Sequence, residues 1–211
     1  MTHWVAIEGP CCAGKTTLAE GLRALIHPSP LLVVPDYADF LGGGDQMPDP
    51  ADGSQHRQRA ALEFLLRAEA ARFNRWAPPV SSRPFGIQDR SALTLIGHCA
   101  GLDGPSRRPG PLERLATDVV TNDERAVIPN FVIYLNVSND VQLIRNKGKF
   151  PDGSIFMDKV FNAGFENFFC LRAAERAQEG LVIIDGDQRK QDVLRQSVGY
   201  LDELAFNWRG L

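Results

Sequence analysis

The sequence predicts a three-layer α/β fold built on a five-stranded parallel sheet. Short β-like runs alternate with longer helical stretches along the 211 residues, as a parallel α/β sheet requires. Each β-like run is apolar almost throughout, as strands covered by helices on both faces tend to be. Each also ends in a small polar cluster. Ligands of open α/β sheets bind outside the carboxyl ends of the strands, so these clusters are expected to converge on one site.

In chain order the first strand is His3–Glu8, closing in Glu8-Gly9, and a helix follows over Lys15–Leu25. Leu31–Pro35 is the second strand and ends in Asp36-Tyr37. Gly42-Gly43-Gly44 through Gly53, with Pro48 and Pro50, is too rich in Gly and Pro for a regular element. A long helix then spans Ser54–Trp76, and Phe85–Gln88 is the third strand, ending in Asp89-Arg90-Ser91. Helices over Ala92–Ala100 and Leu112–Arg125 flank a loop at Gly101–Pro111. Phe131–Val137 is the fourth strand, closed by Ser138-Asn139, with a helix at Asp140–Asn146. Lys147–Ser154 is a polar, Gly-containing insert before a helix over Met157–Gln178. Leu181–Ile184 is the last strand, ending in Asp185-Gly186-Asp187, and Lys190–Trp208 is the last helix. The expectation is a single domain over residues 1–211, with a flexible loop at 37–53 and a lid at about 145–156, since closing flaps are built from such loops.

Charge and cysteine usage narrow the function classes. The net charge of −3 is unevenly spread: residues 1–50 carry −4, residues 51–115 carry +4, and the remainder −3. That is not a polyanion-coating surface, so no nucleic-acid polymer is expected as ligand, while the basic middle third suits a small anion. No apolar run approaches the ~18 residues of a membrane span. The N-terminus leads straight into a strand with no signal-like stretch, so no membrane association and a cytoplasmic location are expected. Cys11, Cys12, Cys99 and Cys170 form no CxxC pair and read as free thiols, Cys11-Cys12 being either sterically tolerated or redox-regulated.

The sharpest motif is Gly9-Pro10-Cys11-Cys12-Ala13-Gly14-Lys15-Thr16, which matches GxxxxGK[ST] with a strand before it and a helix after. Gly9 and Gly14 permit the backbone angles that turn successive N–H groups inward onto phosphate oxygens. The helix beginning near Lys15, with Thr17 in its first turn, adds its positive end. Lys15 is placed to bridge the β- and γ-phosphates and the Thr16 hydroxyl to ligate Mg²⁺, so a nucleoside triphosphate with Mg²⁺ is the expected ligand. Asn146-Lys147-Gly148-Lys149 approaches the guanine-reading NKxD segment but lacks its Asp, which disfavours a GTPase.

With Ile87-Gln88-Asp89-Arg90-Ser91 after the third strand, the chain resembles the thymidylate kinase and deoxynucleoside kinase group of P-loop kinases. In that group a strand ending in DR or ER lies beside the phosphate loop. Phe131–Val137 resembles its fourth strand, Val141–Arg145 its approach to a basic lid, and Leu181–Asp187 its last strand. The resemblance implies a P-loop NTPase fold with strand order 2-3-1-4-5, a small helical lid, ATP and Mg²⁺ as cofactors, and a homodimer. The activity it implies is transfer of the γ-phosphoryl of ATP to a hydroxyl or phosphate of a nucleoside, nucleotide or similar small metabolite. A kinase of a non-nucleoside natural product, such as an antibiotic-modifying enzyme, and a non-catalytic NTP-binding regulatory module are the alternatives.

Each candidate residue carries a functional and a structural reading. Asp89 either holds Mg²⁺ through its hard carboxylate oxygens or caps the next helix. Arg90 offers a planar fork to phosphate oxygens or pairs with an Asp. Asp36, with Tyr37 beside it, ends the second strand, where the deoxynucleoside kinases carry the acid that receives the acceptor's proton; the resemblance thus makes it the candidate base for an acceptor hydroxyl, with Asp39 as fallback and a solvated loop acid as the plain reading. Arg72 fits the arginine that the group supplies to its acceptor from this helix, against a solvated helix face. It shares a face with Arg75, whereas Arg67 lies well around from it. Phe64, Phe73 and Trp76 either stack on a base or fill the core. In the lid, Arg145 is the candidate for stabilising the transferring phosphoryl group, with Lys147 and Lys149 nearby, or the segment is a solvated charge run.

Overall fold

The computed structural model describes residues 3–25, 32–76 and 85–203. Five strands, β1 (His3–Glu8), β2 (Leu32–Val34), β3 (Phe85–Asp89), β4 (Phe131–Asn136) and β5 (Gly180–Asp185), form one sheet in the order β2-β3-β1-β4-β5. All neighbours are parallel. The register pairs Ile7 with Asp89, Val34 with Gln88 and Asn136 with Asp185, which brings the polar strand ends to one edge. The helices are α1 (Lys15–Leu25), α2 (Tyr37–Phe40), α3 (Gln55–Trp76), α4 (Leu93–Asp103), α5 (Pro111–Thr121), α6 (Asn139–Asn146), α7 (Lys159–Leu171) and α8 (Lys190–Glu203).

The near-continuous apolar runs of β1 and β4 follow from coverage of both sheet faces, whereas β5, at the edge of the sheet, is only half-buried and leaves Ile183 exposed. Successive side chains of a strand point to opposite faces. Val5 and Ile7 join Leu18, Leu22, Val193 and Leu201 under α1 and α8, whereas Ala6 joins Leu66, Ile96 and Phe168 on the other side. In β4 the division repeats: Ile133 and Leu135 go to the first cluster, Val132 and Tyr134 to the second. Each fully buried aliphatic side chain contributes roughly 1.5–3 kcal/mol relative to exposure. On the second face α4 lies close against α7, where a Cβ on Gly164 would sit 2.6 Å from the carbonyl oxygen of Ala100.

Several element boundaries differ from those read in the sequence. The helix expected over Met157–Gln178 is three pieces: a 3₁₀ turn at Ile155–Met157, α7, and a 3₁₀ turn at Ala173–Glu175. Asp158 starts α7 by accepting from the N–H groups of Val160 and Phe161. Arg172 leaves helical geometry at φ −134° as its side chain reaches Glu113 in two bonds of 2.6 and 2.9 Å. α5 stops at Thr121 rather than Arg125, where Thr121 and Asn122 turn their side chains back onto the carbonyls of Thr117 and Asp118. α4 runs on to Asp103 and is stopped by Gly104 at φ +81°. Within 37–53 the chain forms α2, begun by the side chain of Asp36, and a 3₁₀ turn at Gly44–Gln46. Leu31 of the expected second strand and residues 204–208 of the last helix lie outside the described residues.

Candidate active site

β1 delivers the phosphate loop. Gly9 has φ +146°, and a Cβ there would lie 2.7 Å from the carbonyl oxygen of Leu135, so only glycine fits between β1 and β4. Cys12 at φ 64° and Gly14 at φ 99° turn the loop through left-handed conformations into α1. Such alternation forms an anion-binding nest at a helix N-terminus. Four loop carbonyls accept side-chain donors: Gly9 from Arg90 (3.3 Å), Pro10 from Lys15 Nζ (2.9 Å), Cys11 from Gln142 (3.0 Å) and Ala13 from Arg145 (3.2 Å). Burial pushes Lys15 below the usual ammonium range, and Arg90 adds to this; Asp89 and Asp36 offset it only in part. A bound polyanion reverses the imbalance by supplying negative charge.

Thr16 Oγ1 donates to Asp89 Oδ2 at 2.6 Å. Asp89 Oδ1 is buried and has no hydrogen-bond partner. Burial raises the Asp89 carboxyl above its ordinary range against the pull of Lys15 and Thr16. A hydroxyl and a carboxylate with one oxygen unsatisfied, beside a phosphate nest, fit Mg²⁺, which takes one or two protein oxygens and completes its shell with water and phosphate. No cluster of three or more His, Cys, Asp or Glu able to hold a metal by themselves occurs among the described residues.

Opposite Lys15, Asp36 Oδ2 accepts from Arg90 Nε at 2.9 Å. Burial works to raise the Asp36 carboxyl, but Arg90 and Lys15 together hold it below the ordinary range, so it is a carboxylate at neutral pH. Arg90 has φ 69°, a strained conformation for a side-chain-bearing residue. Its N–H donates to Ile7 O, and its Nη2 lies 3.6 Å from Cys11 Sγ. The conformation is held from the next residue. Glu8, fully buried, accepts from Ser91 N (2.8 Å), Ser91 Oγ (2.7 Å) and the Thr94 hydroxyl. Burial raises the Glu8 carboxyl, and Arg90 and these donors offset that only in part.

Arg72 is placed otherwise than either sequence reading expects. It is 0% exposed, so it is no solvated helix face, and it lies behind the strand ends rather than on the cavity wall. Its guanidinium donates to Pro35 O (2.6 Å), Arg90 O (3.0 Å), Asp89 O (3.4 Å) and Glu69 Oε2 (2.6 Å), and lies 4.0 Å over the Tyr37 ring. Arg67 is exposed and pairs with Glu63. Phe73 fills the core edge-on to Trp4 with ring centroids 4.9 Å apart.

A cavity of about 1270 Å³ unites these groups. Pro10 through Leu18, Arg145, Lys147, Lys149 and, after β5, Gly186, Gln188, Lys190 and Gln191 line one half. Asp36, Tyr37, the loop Met47–Pro50, and faces of α3, α4 and α7 line the other. His98 reaches across that half, 3.0 Å from the Pro50 carbonyl, which can only accept, so Nε2 carries the proton. Burial lowers His98 to about 4, leaving the ring neutral. In the lid, α6 ends at Lys147 in a left-handed conformation, and Gln142 and Asn162 both donate to Phe156 O. Thus Lys15, Thr16, Asp36, Asp89, Arg90 and Arg145 lie together around the loop, and Tyr37 lines the cavity. Thr94, His98 and Gln142 sit within helices and carry no motif, whereas Glu8 stands in the polar cluster that closes the first strand. Only Glu8 carried a sequence signal, an acid immediately before the loop's first glycine.

The chain matches no protein-family model. It is 24% identical over 214 residues to a thymidylate kinase of Bacillus cereus, covering 95% of this chain and 97% of that one. Its fold matches deoxyadenosine kinase of M. mycoides with bound dATP at a TM-score of 0.65 and 15% identity, over 95% of this chain and 100% of that one. The same kinase with bound dCTP matches at 0.62. The chain thus has a P-loop α/β fold like that of the solved nucleoside kinase. No described helix is long and apolar enough to cross a membrane.

Proposed function

We propose that the chain is an ATP- and Mg²⁺-dependent phosphotransferase that moves the γ-phosphoryl of ATP to a nucleoside, a nucleotide or a similar small metabolite. The observation that carries this reading is the Thr16–Asp89 bond beside Lys15, with the unsatisfied Asp89 oxygen, facing the Asp36–Arg90 pair. The loop N–H groups and Lys15 hold the β- and γ-phosphates, and Thr16 and Asp89 hold Mg²⁺. Mg²⁺ supplies charge neutralisation on the phosphates when bound. Arg90 and Arg145 lie on either side of the loop and supply positive charge where it develops in transfer. Asp36 takes the proton as an acceptor oxygen attacks. Catalysis is positioning and charge neutralisation, with little covalent chemistry for the protein.

The test is ADP release from ATP–Mg²⁺ against nucleosides, nucleoside monophosphates and hydroxylated natural products, with products identified by mass spectrometry. Turnover of a panel member that disappears in Lys15→Ala is expected. Asp36→Ala should lose turnover while retaining ATP affinity. ATP binding with no turnover by any acceptor would point instead to a regulatory NTP-binding module.

A further inference from the structure

We infer that the acceptor half of the cavity takes a hydroxyl-bearing molecule that is neutral or amine-bearing, and turns away its phosphorylated counterpart. This rests on the reading of the site as a phosphotransferase and decides which acceptor group it serves. The first observation is Arg72. This α3 arginine, expected on the acceptor side, is instead fully buried, with its guanidinium bound to three backbone carbonyls and Glu69. Its one unpaired nitrogen, Nε, is buried, so none of the group reaches a ligand in the cavity.

The second observation is the distribution of charge around the cavity. The lining faces of α3, α4 and α7 are apolar apart from Gln58, Thr94, His98 and Asn162, and carry no Lys or Arg among the described residues. His98 is neutral and already engaged with Pro50. The loop that closes this half is acidic throughout: Asp36, Asp39, Asp45, Asp49 and Asp52 occur with no Lys or Arg between residues 36 and 56. Asp36, Asp45 and Asp49 line the cavity itself. Every cation on the cavity wall other than Arg90 comes from the phosphate loop, the lid or the start of α8. Arg90 is bound to Asp36 through Nε, and its Nη groups turn to the phosphate loop, at Gly9 O and Cys11 Sγ, on the side of the transferring group.

A phosphate monoester brings a charge of about −1.5 to −2 at neutral pH. On this side it would meet the Asp36 carboxylate and an acidic loop with no fork to receive it, an arrangement of like charge that suppresses binding. A hydroxyl meets the reverse. Asp36 accepts its proton, the oxygen forms the new bond to the γ-phosphorus, and the bond from that phosphorus to the β,γ-bridging oxygen breaks, with its electron pair leaving on ADP. An amine elsewhere on the acceptor gains from the same acidic loop.

The experiment measures binding and transfer on matched pairs. The four 2′-deoxynucleosides, neutral polyols and amine-bearing polyols are each compared with their phosphate monoesters, on the full chain saturated with ATP–Mg²⁺ or a non-hydrolysable analogue. At least one unphosphorylated member should bind, about a hundredfold more tightly than its monoester, the scale set by unanswered like charge. Two variants change the wall: Ala61→Arg adds a cation on α3, and Asp45→Lys reverses an exposed loop charge outside the packed core. Each should narrow that ratio by at least tenfold. Equal or tighter binding of the monoester, transfer to its phosphate, or no acceptor-side binding by any unphosphorylated member overturns the inference. Preference for the unphosphorylated member without transfer sinks the phosphotransferase reading and leaves the charge selection standing. Transfer to a monoester does the opposite.

Discussion

Replacing Arg72 by methionine removes one guanidinium and leaves five groups to respond. Glu69, 0% exposed, loses its ion-pair partner, three backbone carbonyls lose a donor, and Tyr37 loses the cation over its ring. Removing one member of a buried pair costs about 3–5 kcal/mol, because the other charge is stranded. The carbonyls add to this less than additively, so about 4 kcal/mol or more is expected, against a total stability of about 5–15 kcal/mol for a domain. In urea, at a slope of roughly 2 kcal/mol per molar, the midpoint should fall by about 2 M. Arg72→Met with Glu69→Gln should recover a measurable part, since no charge is then stranded. Arg72→Lys should fall between, as an ammonium cannot span the carbonyls of Pro35, Asp89 and Arg90. A midpoint shift under about 0.5 M, at that slope, or a double variant no better than the single one, would refute the clamp.

Asp89→Asn should weaken Mg²⁺-dependent ATP binding at least tenfold, on the order of one lost charge-assisted contact, and leave Mg²⁺-free binding nearly unchanged, as calorimetry with and without EDTA would show. Burial raises the Asp89 carboxyl, so the Mg²⁺-dependent part of binding should fade as pH falls through that raised value, above the ordinary aspartate range. His98 is held at about 4 against an ordinary value near 6.5. Its contribution to stability is therefore complete above about pH 6.5 and is lost as pH falls toward 4, by at most about 3 kcal/mol and less for a ring with some access to the cavity. Denaturation midpoints at pH 7.5, 6 and 5 should converge on those of His98→Gln as pH falls; parallel profiles would defeat that assignment. Gly9→Ala should displace the phosphate loop, because its Cβ meets a backbone carbonyl at 2.7 Å. The expected result is loss of ATP binding in equilibrium dialysis together with a destabilisation of roughly 2 kcal/mol or more.

The sheet and the phosphate loop are legible in the sequence because their causes are local. Five apolar runs bounded by polar clusters fix the strands, and the glycines, Lys15 and Thr16 have fixed chemistry at fixed spacing. The strand order came with the resemblance rather than from the runs themselves. Arg72 is not legible, because whether an arginine reaches solvent, ligand or three buried carbonyls depends on where β2 and β3 end in space. The break in α7 is hidden likewise. Apolar residues continue in helical spacing, and Arg172 departs only because Glu113, 59 positions earlier, lies within reach. α2 is too short to show a period, and its one signal is the cap at Asp36.

The four loop carbonyls that accept side-chain donors carry a consequence for descent. Gly9, Pro10, Cys11 and Ala13 are served from the end of β3, from α1 and from two positions of α6. All four acceptors are backbone carbonyls, which any residue at those positions supplies, whereas the donors must be side chains of the right length and chemistry. Asn162 joins them through Gln142 Oε1. Positions 142 and 162, joined side chain to side chain, are therefore expected to change together across lineages, while the side chains at 11 to 13 vary without regard to them. A lineage that replaces Cys11-Cys12 with another pair should therefore keep the donors of α6 and α7, far along the chain from the motif itself.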